Sequence, residues 1–144
     1  MSHPANRAFK EDIERGFARQ SVMKLIGAEL HKVEPGIVEI RLPFRADLAQ
    51  QDGYIHAGII TTIADSACGF AAFTLMPAGS GVLSVEFKVN FLRPARGIHF
   101  VARGEVVKPG RTLTVAHGEV LAFSDAREPE LIAMMQGTMM CVLS

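Results

Sequence analysis

A chain of 144 residues, of which 49% are hydrophobic, can bury one substantial core but not two, so a single domain over residues 1–144 is expected. Its 15 basic and 15 acidic residues cancel, and no basic run is longer than two residues, which excludes the electrostatic surface of a nucleic-acid-binding protein. Two distant cysteines and a charged N-terminus fit neither a disulfide framework nor a signal peptide, so the sequence predicts a cytoplasmic protein.

Two helical segments and two strands begin the chain. Phe9, Ile13 and Phe17 recur at four-residue spacing, which predicts an amphipathic helix over residues 5–20. A second helical turn is predicted from residue 21, and Gly27 ends it. Strands over residues 28–34 and 37–43, joined by a Pro-Gly turn, and a polar loop over residues 44–55 follow.

The stretch over residues 56–76 predicts one long helix whose only formal charge is Asp65. Because the helix is apolar nearly all round, it is expected to be buried. Its length would also allow a membrane span. An aspartate at mid-membrane costs roughly 2.5–3.5 kcal/mol on insertion scales, and the strands on both sides are amphipathic, so no membrane association is predicted.

Four strand patterns follow the long helix. The first, over residues 82–92, is the clearest, since Phe87, Val89 and Phe91 alternate with polar residues. The others are predicted over residues 98–108, 112–123 and 131–143. Strands joined by short turns form an antiparallel sheet, so the fold class is α+β, with the long helix on one face of the sheet.

Asp65 is the residue that needs an explanation. A helical wheel places small or weakly polar residues around it, and bulky residues on the other side. The first group is Gly58, Thr61, Thr62, Cys68, Gly69 and Ala72; the second is Ile59, Ile60, Ile63, Phe70 and Phe73. A buried carboxylate is costly unless it is paired, and no Lys or Arg lies between Asp52 and Lys88. Asp65 is therefore either satisfied structurally by a distant group, or a general base or nucleophile.

The start of the long helix offers the complementary half of a site. Free backbone N–H groups of Ala57 and Gly58 are expected there, where the helix dipole favours developing negative charge on a polarised carbonyl. His56 lies at this position, and Gln50 precedes it in the loop. His56 as a simple helix cap and Gln50 as a surface residue stay open as alternatives.

The spacing of Asp65 and Ala57 predicts a dimer. Eight residues of helix separate them, or roughly 12 Å, so one carbonyl cannot contact both in the same chain. Two antiparallel copies of the helix would bring the N-terminal end of one beside Asp65 of the other. A catalytic site would then be composite, with two sites in a symmetric homodimer.

The run Gln50-Gln51-Asp52-Gly53-Tyr54-Ile55-His56-Ala57-Gly58, followed by Asp65, resembles the PaaI-type thioesterases of the hotdog superfamily. Their pattern is Asn or Gln, a Gly, His-Gly-Gly, and Asp seven residues after the last Gly. The resemblance extends from about residue 22 to residue 143 and includes the Ser84-Val85-Glu86-Phe87 segment.

The resemblance implies a hotdog fold, in which an antiparallel β-sheet wraps around one long central α-helix, here with an N-terminal helix before it. It also implies an acyl-CoA thioesterase that forms dimers and then homotetramers. No cofactor or metal is implied, because coenzyme A is part of the substrate.

The resemblance also assigns roles to residues. Asp65 would be the nucleophile or the base that activates water, and the Ala57 amide would polarise the thioester carbonyl. Gln50 would position water or substrate, His56 would order the loop, and Ser84 matches an auxiliary site position. The chain departs from the pattern at Ala57, which stands where Gly is usual; only a backbone N–H is required there.

Several alternatives remain open. Gln51 is as plausible as Gln50, Asp52 could be the working carboxylate, and Cys68 could be a nucleophile, although a buried core thiol is more usual. A hydratase or a non-catalytic acyl-CoA sensor would also fit the fold. The residues that could meet the phosphates of coenzyme A are Arg93, Arg96, Lys108 and Arg111.

Overall fold

The structure is a computed structural model that describes residues 4–143; the first three residues and residue 144 of the expected domain lie outside it. Three α-helices and six strands occur in the predicted order. They are α1 (Phe9–Arg19), α2 (Ser21–Ile26), β1 (Glu29–Glu34), β2 (Ile37–Pro43), α3 (Ala57–Phe73), β3 (Ser80–Phe91), β4 (His99–Lys108), β5 (Leu113–Phe123) and β6 (Glu130–Leu143). A short 3-10 turn, Ala46–Leu48, interrupts the loop that the sequence predicted to be irregular.

Local hydrogen bonds explain where the helices begin and end. The N-terminal helix starts four residues later than predicted, because the Asn6 side chain accepts from Ala8 N–H and donates to Asp12, which holds a turn before Phe9. The central helix ends at Phe73 rather than at residue 76. The buried Thr74 hydroxyl donates to the Ala71 carbonyl and accepts from Gly36 N–H, which fixes the chain as it leaves the helix.

All strand pairs are antiparallel, and the order in the sheet is β1-β2-β4-β5-β6-β3. The strand that follows α3 therefore does not pair with its successor β4 but with β6. As a result β3 and β1 form the two edges of the sheet. The fold class is confirmed: one antiparallel sheet curves around one long helix.

A β-bulge changes the phase of β3 between Ser84 and Glu86. Before the bulge, Val82 and Ser84 face α3; after it, Val89 and Phe91 do so. One strand therefore presents both even-numbered and odd-numbered residues to the helix.

The core lies between α3 and the concave face of the sheet. Alternate residues of β2 and β5 are buried, as their period of two requires. The helix approaches β4 so closely that a Cβ at Gly104 would overlap the backbone of Ala67 and Cys68. Between residues 4 and 143, no helix combines the length and hydropathy that crossing a membrane requires.

We expect Gly104→Ala to destabilise the fold, because the added methyl group cannot be accommodated without moving α3 away from β4. Overpacking of this kind typically costs about 1–3 kcal/mol. Chemical denaturation of the variant and the wild type measures the difference in the free energy of unfolding. A variant as stable as the wild type would show that the helix lies further from the sheet.

Candidate active site

Asp65 lies in the middle of α3 and is half-buried. One carboxylate oxygen, Oδ1, accepts a 2.6 Å hydrogen bond from the Ser84 hydroxyl on β3. Among residues 4–143, no other group donates to this carboxylate and none forms an ion pair with it. The carboxylate is thus oriented from one side and available on the other.

Asp65 and Ser84 both line a small cavity of about 90 Å³. Its lining comes from three parts of the chain: the α1–α2 junction, one face of α3 and the beginning of β3. The lining residues are Gln20, Asp65, Ser66, Gly69, Phe70, Val82 and Ser84.

The helical wheel is wrong at two positions of α3, Phe70 and Cys68. Phe70 lines the cavity although it was placed on the bulky face, and Cys68 packs against Gly118 of the sheet instead of beside the cavity. Burial, and to a smaller extent the Asp65 charge, raises the pKa of the Cys68 thiol to about 12. A thiol that stays protonated is a poor nucleophile, so the geometry and the protonation state both favour a core role for Cys68.

His56 caps the N-terminus of α3. Its Nδ1 accepts a 2.8 Å hydrogen bond from Gly58 N–H, so the neutral ring carries its proton on Nε2. The expectation that both amides are free is therefore wrong for Gly58. Within residues 4–143, Ala57 N–H has no hydrogen-bond partner, and it remains the donor at this end of the helix.

The loop before the helix is fixed by the Gln50 side chain. Its Oε1 accepts from the backbone N–H groups of Asp52 and Tyr54, at 2.7 and 3.2 Å, and its amide NH₂ donates to no group of residues 4–143. Gln51 and Asp52 are exposed and hydrogen-bond to each other at 3.5 Å. Of the three polar side chains, only Gln50 lines a groove that Ala57 also lines.

This groove has a volume of about 360 Å³ and a mainly apolar lining. It runs from the helix start to the end of β3. The lining residues are Gln50, Tyr54, Ile55, Ala57, Ile60, Phe91, Arg93, Pro94, Ala95 and Ile132.

A basic surface continues from the far end of this groove. A neighbouring pocket shares Tyr54, Arg93 and Pro94 with the groove and adds Arg96, Arg127 and Glu130. Arg93 donates to the Leu131 carbonyl at 2.9 Å, and both Arg93 and Arg127 lie within 3.5 Å of Glu130 carboxylate oxygens. Their positions are therefore held by the chain itself.

The basic residues selected from the sequence separate into two groups. Arg93 and Arg96 adjoin the groove, whereas Lys108 and Arg111 lie in or next to the turn between β4 and β5. That turn is at the opposite end of β4, roughly 30 Å away at 3.3 Å per residue. Among the residues that the structure describes, no cluster of three or more His, Cys, Asp or Glu is placed to hold a metal.

Sequence reasoning missed Gln20, Arg127 and Tyr54. Gln20 sits between two helices, where its backbone is extended, and only the tertiary fold brings it to the Asp65 cavity. Arg127 lies in the polar turn before β6, where a charged residue carries no specific signal. Tyr54 lies between the motif residues Gly53 and His56, and the only signal in the sequence was an aromatic residue in a polar loop.

Comparison with known proteins identifies the family. The model of the thioesterase superfamily matches residues 52–128, just over half of the chain. The crystal structure of a thioesterase family protein from Silicibacter pomeroyi is similar with a TM-score of 0.92 and 50% sequence identity, covering 94% of this chain and 99% of that one.

Two further relatives agree. A Halobacterium salinarum protein that is assigned as an esterase is 29% identical over 124 residues, which is 81% of this chain and 82% of that protein. The PaaI protein of the E. coli phenylacetic acid degradation operon shares the fold, with a TM-score of 0.84 at 16% identity over 96% of both chains. The chain therefore belongs to the thioesterase superfamily and is a thioester hydrolase with the hotdog fold.

Proposed function

We propose that this protein hydrolyses acyl-CoA thioesters in composite sites of a homodimer, with Asp65 of one subunit opposite Ala57 N–H of the other. The observation that supports this most directly is the Asp65 carboxylate, which Ser84 orients at 2.6 Å and which lines a cavity. Its second oxygen has no hydrogen-bond partner among residues 4–143 and stays available to water or substrate.

Asp65 and the Ala57 amide divide the reaction between them. Water adds to the thioester carbonyl carbon while Asp65 accepts a water proton, and the Ala57 N–H stabilises the oxyanion. The carbon–sulfur bond then breaks, the proton passes to the sulfur, and the products are the free acid and coenzyme A. Direct attack by the carboxylate, through an anhydride that water hydrolyses, gives the same products. Neither route needs a metal or cofactor.

The β3 edge supports the proposed dimer. Its outer edge has no strand partner within residues 4–143, and Leu83 and Val85 are 61% and 55% exposed. Long apolar edge strands of this kind are normally covered, whereas the other edge strand, β1, is short, charged and bulged. Two β3 strands that pair antiparallel about a twofold axis would keep both α3 helices on one face and run them in opposite directions.

We extend the proposal to a homotetramer. On the outer face of the sheet, Leu83, Met140 and Leu113 are register partners on β3, β6 and β5, and each is at least 38% exposed. This apolar row would be covered if two dimers packed through their sheets. Light scattering would then give four times 15.6 kDa instead of twice that mass.

The groove and the basic surface next to it would hold coenzyme A. Its pantetheine arm would lie along the apolar groove, with its amides near Gln50, and its phosphates would meet Arg93, Arg96 and Arg127. Lys108 and Arg111 could reach this end only from the other subunit. We also propose a cytoplasmic location, which the two free and buried cysteines support.

A hydrolysis screen over a panel of acyl-CoA substrates tests the proposed function. Release of free thiol is followed with acetyl, butyryl, hexanoyl, octanoyl and phenylacetyl thioesters, and binding of each is measured in parallel. We expect saturable turnover of at least one member. Binding of an acyl-CoA without turnover would contradict the proposed hydrolysis and indicate a non-catalytic acyl-CoA binding protein.

Arg93→Ala and Arg127→Ala test the coenzyme A position. We expect each to raise KM for an acyl-CoA by about 5-fold with little change in kcat, because exposed ion pairs contribute up to about 1 kcal/mol. An acyl-N-acetylcysteamine thioester lacks the nucleotide, so its KM should not change. Lys24→Ala, on the exposed surface of α2, is the matched control. Equal effects on both thioesters would place the phosphates elsewhere.

A further inference from the structure

Gly69 has no structural reason to be a glycine. It lies within α3 with an ordinary negative φ, where glycine is about 1 kcal/mol less favourable than alanine. Apart from its chain neighbours and the backbone of its own helix, a Cβ added at Gly69 would meet no atom of residues 4–143 within 4 Å. This contrasts with Gly104 and Gly118, where a Cβ would overlap the helix backbone or press on the Cys68 sulfur.

The space beside Gly69 belongs to the cavity at Asp65. Gly69 follows Asp65 by one helical turn, so the two residues share a face, and both line the cavity. A side chain at position 69 would therefore project into the space next to the reacting carbonyl. A cavity of about 90 Å³ is small enough for one methyl group to matter, since a water molecule takes about 30 Å³ of liquid volume.

Three other residues of the cavity lining, Gln20, Ser66 and Phe70, are held in place by contacts with their neighbours. The Ser66 hydroxyl donates to the Gln20 side chain at 2.9 Å, which ties the α1–α2 junction to the helix. Phe70 is held by the Phe17 ring, with centroids 6.2 Å apart, and packs close to Gly16. An acyl group that occupies the cavity beside Asp65 would therefore share it with position 69 and with the hydrogen-bonded Gln20–Ser66 pair.

We infer that Gly69 is the specificity-determining position of the acyl pocket: the missing side chain leaves the room that the acyl group occupies, and Gln20 sets how far that group can extend. This inference rests on the proposed acyl-CoA hydrolysis and adds to it the residues that limit the size of the acyl group. The limit falls on the part of the substrate next to the carbonyl.

The graded variants Gly69→Ala and Gly69→Val test the inference. On the acyl-CoA panel, we expect kcat/KM for the largest group that the wild type accepts to fall by about 10-fold or more with Ala, and further with Val, as overpacking of a filled pocket requires. The value for acetyl-CoA should stay within about 2-fold. The unfolding midpoint of Gly69→Ala should rise by about 2–4 °C, because alanine favours the helix.

Gln20→Ala should shift the size limit in the opposite direction, since it shortens a side chain that lines the cavity. We expect a gain of several-fold in the relative kcat/KM for the longer acyl groups. Loss of the same factor for every acyl group, in either the Gly69 or the Gln20 variants, would overturn the inference.

Measuring the oligomeric state distinguishes the inference from the main alternative explanation of Gly69. If Gly69 is small only so that a second α3 can approach, Gly69→Ala will change the mass measured by light scattering, and the inference is overturned. The wild-type arm of the panel tests the proposed function separately. Wild-type turnover with an unchanged size profile in the variants refutes only the role of Gly69, whereas no wild-type turnover refutes both.

Discussion

Replacing Asp65 by Asn should lower kcat by roughly 10²–10⁴-fold, the usual contribution of a general acid or base. The amide has the shape of the carboxylate, and its oxygen can still accept the 2.6 Å hydrogen bond from Ser84. What is lost is the ability to accept a water proton or to attack the carbonyl. Initial-rate kinetics with the best acyl-CoA of the panel measures the effect.

The control for this prediction is to measure whether the Asp65→Asn variant folds and assembles normally. Asp65 is half-buried and forms no ion pair among residues 4–143, so Asp65→Asn should leave the thermal midpoint and the oligomeric mass unchanged. A variant that folds normally and retains near-normal turnover would show that another group does the chemistry. Asp52→Asn, which changes an exposed carboxylate of the loop in the same way, is the matched control, and this variant should keep wild-type activity.

Ala57→Pro should abolish the proposed oxyanion donor while keeping the helix. Proline is well tolerated at the first helical position, and His56 already has the extended backbone, with φ −58° and ψ 137°, that a following proline requires. The substitution removes one N–H, which has no hydrogen-bond partner among the described residues. Loss of one such donor typically lowers kcat by about 10²–10³-fold.

Ala57→Gly is the matched control, because it keeps the N–H and removes only the methyl group. We expect it to retain activity within a small factor. If Ala57→Pro folds and turns over substrate at the wild-type rate, the carbonyl is not polarised from this end of the helix.

Mixed dimers of the same two variants show whether the sites are composite. In a dimer of one Asp65→Asn chain and one Ala57→Pro chain, a composite arrangement leaves one site with both changes and the other with neither. We expect such dimers, purified through two different tags, to recover about half of the wild-type activity. If each site came from a single chain, both sites would carry one of the two substitutions, and the mixed dimer would be inactive.

The elements of this fold could be predicted from sequence because they depend on local periodicity. The four-residue spacing of Phe9, Ile13 and Phe17 indicated a helix, and the alternation around Phe87 and Val89 indicated a strand; the structure contains both. The order of the strands in the sheet could not be predicted in this way. Nothing within β3 specifies β6 as its partner, because that choice depends on how the chain crosses α3.

The candidate site likewise contains residues that could be predicted from the sequence and residues that could not. Asp65 was selected as the only formal charge of the long helix, Ala57 for its amide at the helix start, and Gln50 for its place in the loop motif, so all three depend on features of one loop and helix. Gln20 and Arg127 reach the site only through tertiary packing, from positions 45 or more residues away from Asp65. The Gly58 amide was misjudged because a helix cap depends on the rotamer of His56, which the sequence leaves undetermined.

Because of the bulge, the number of residues in β3 decides which of its side chains face the candidate site. Val82 and Ser84 precede it and face the Asp65 cavity, whereas Phe91 follows it and faces the groove at Ala57. Deleting one residue between them would rotate one half of the strand by half a pleat period, so that either the hydroxyl or the ring would point to solvent. An insertion or deletion here, unlike one in a surface loop, would therefore remove a side chain from either the Asp65 cavity or the groove at Ala57.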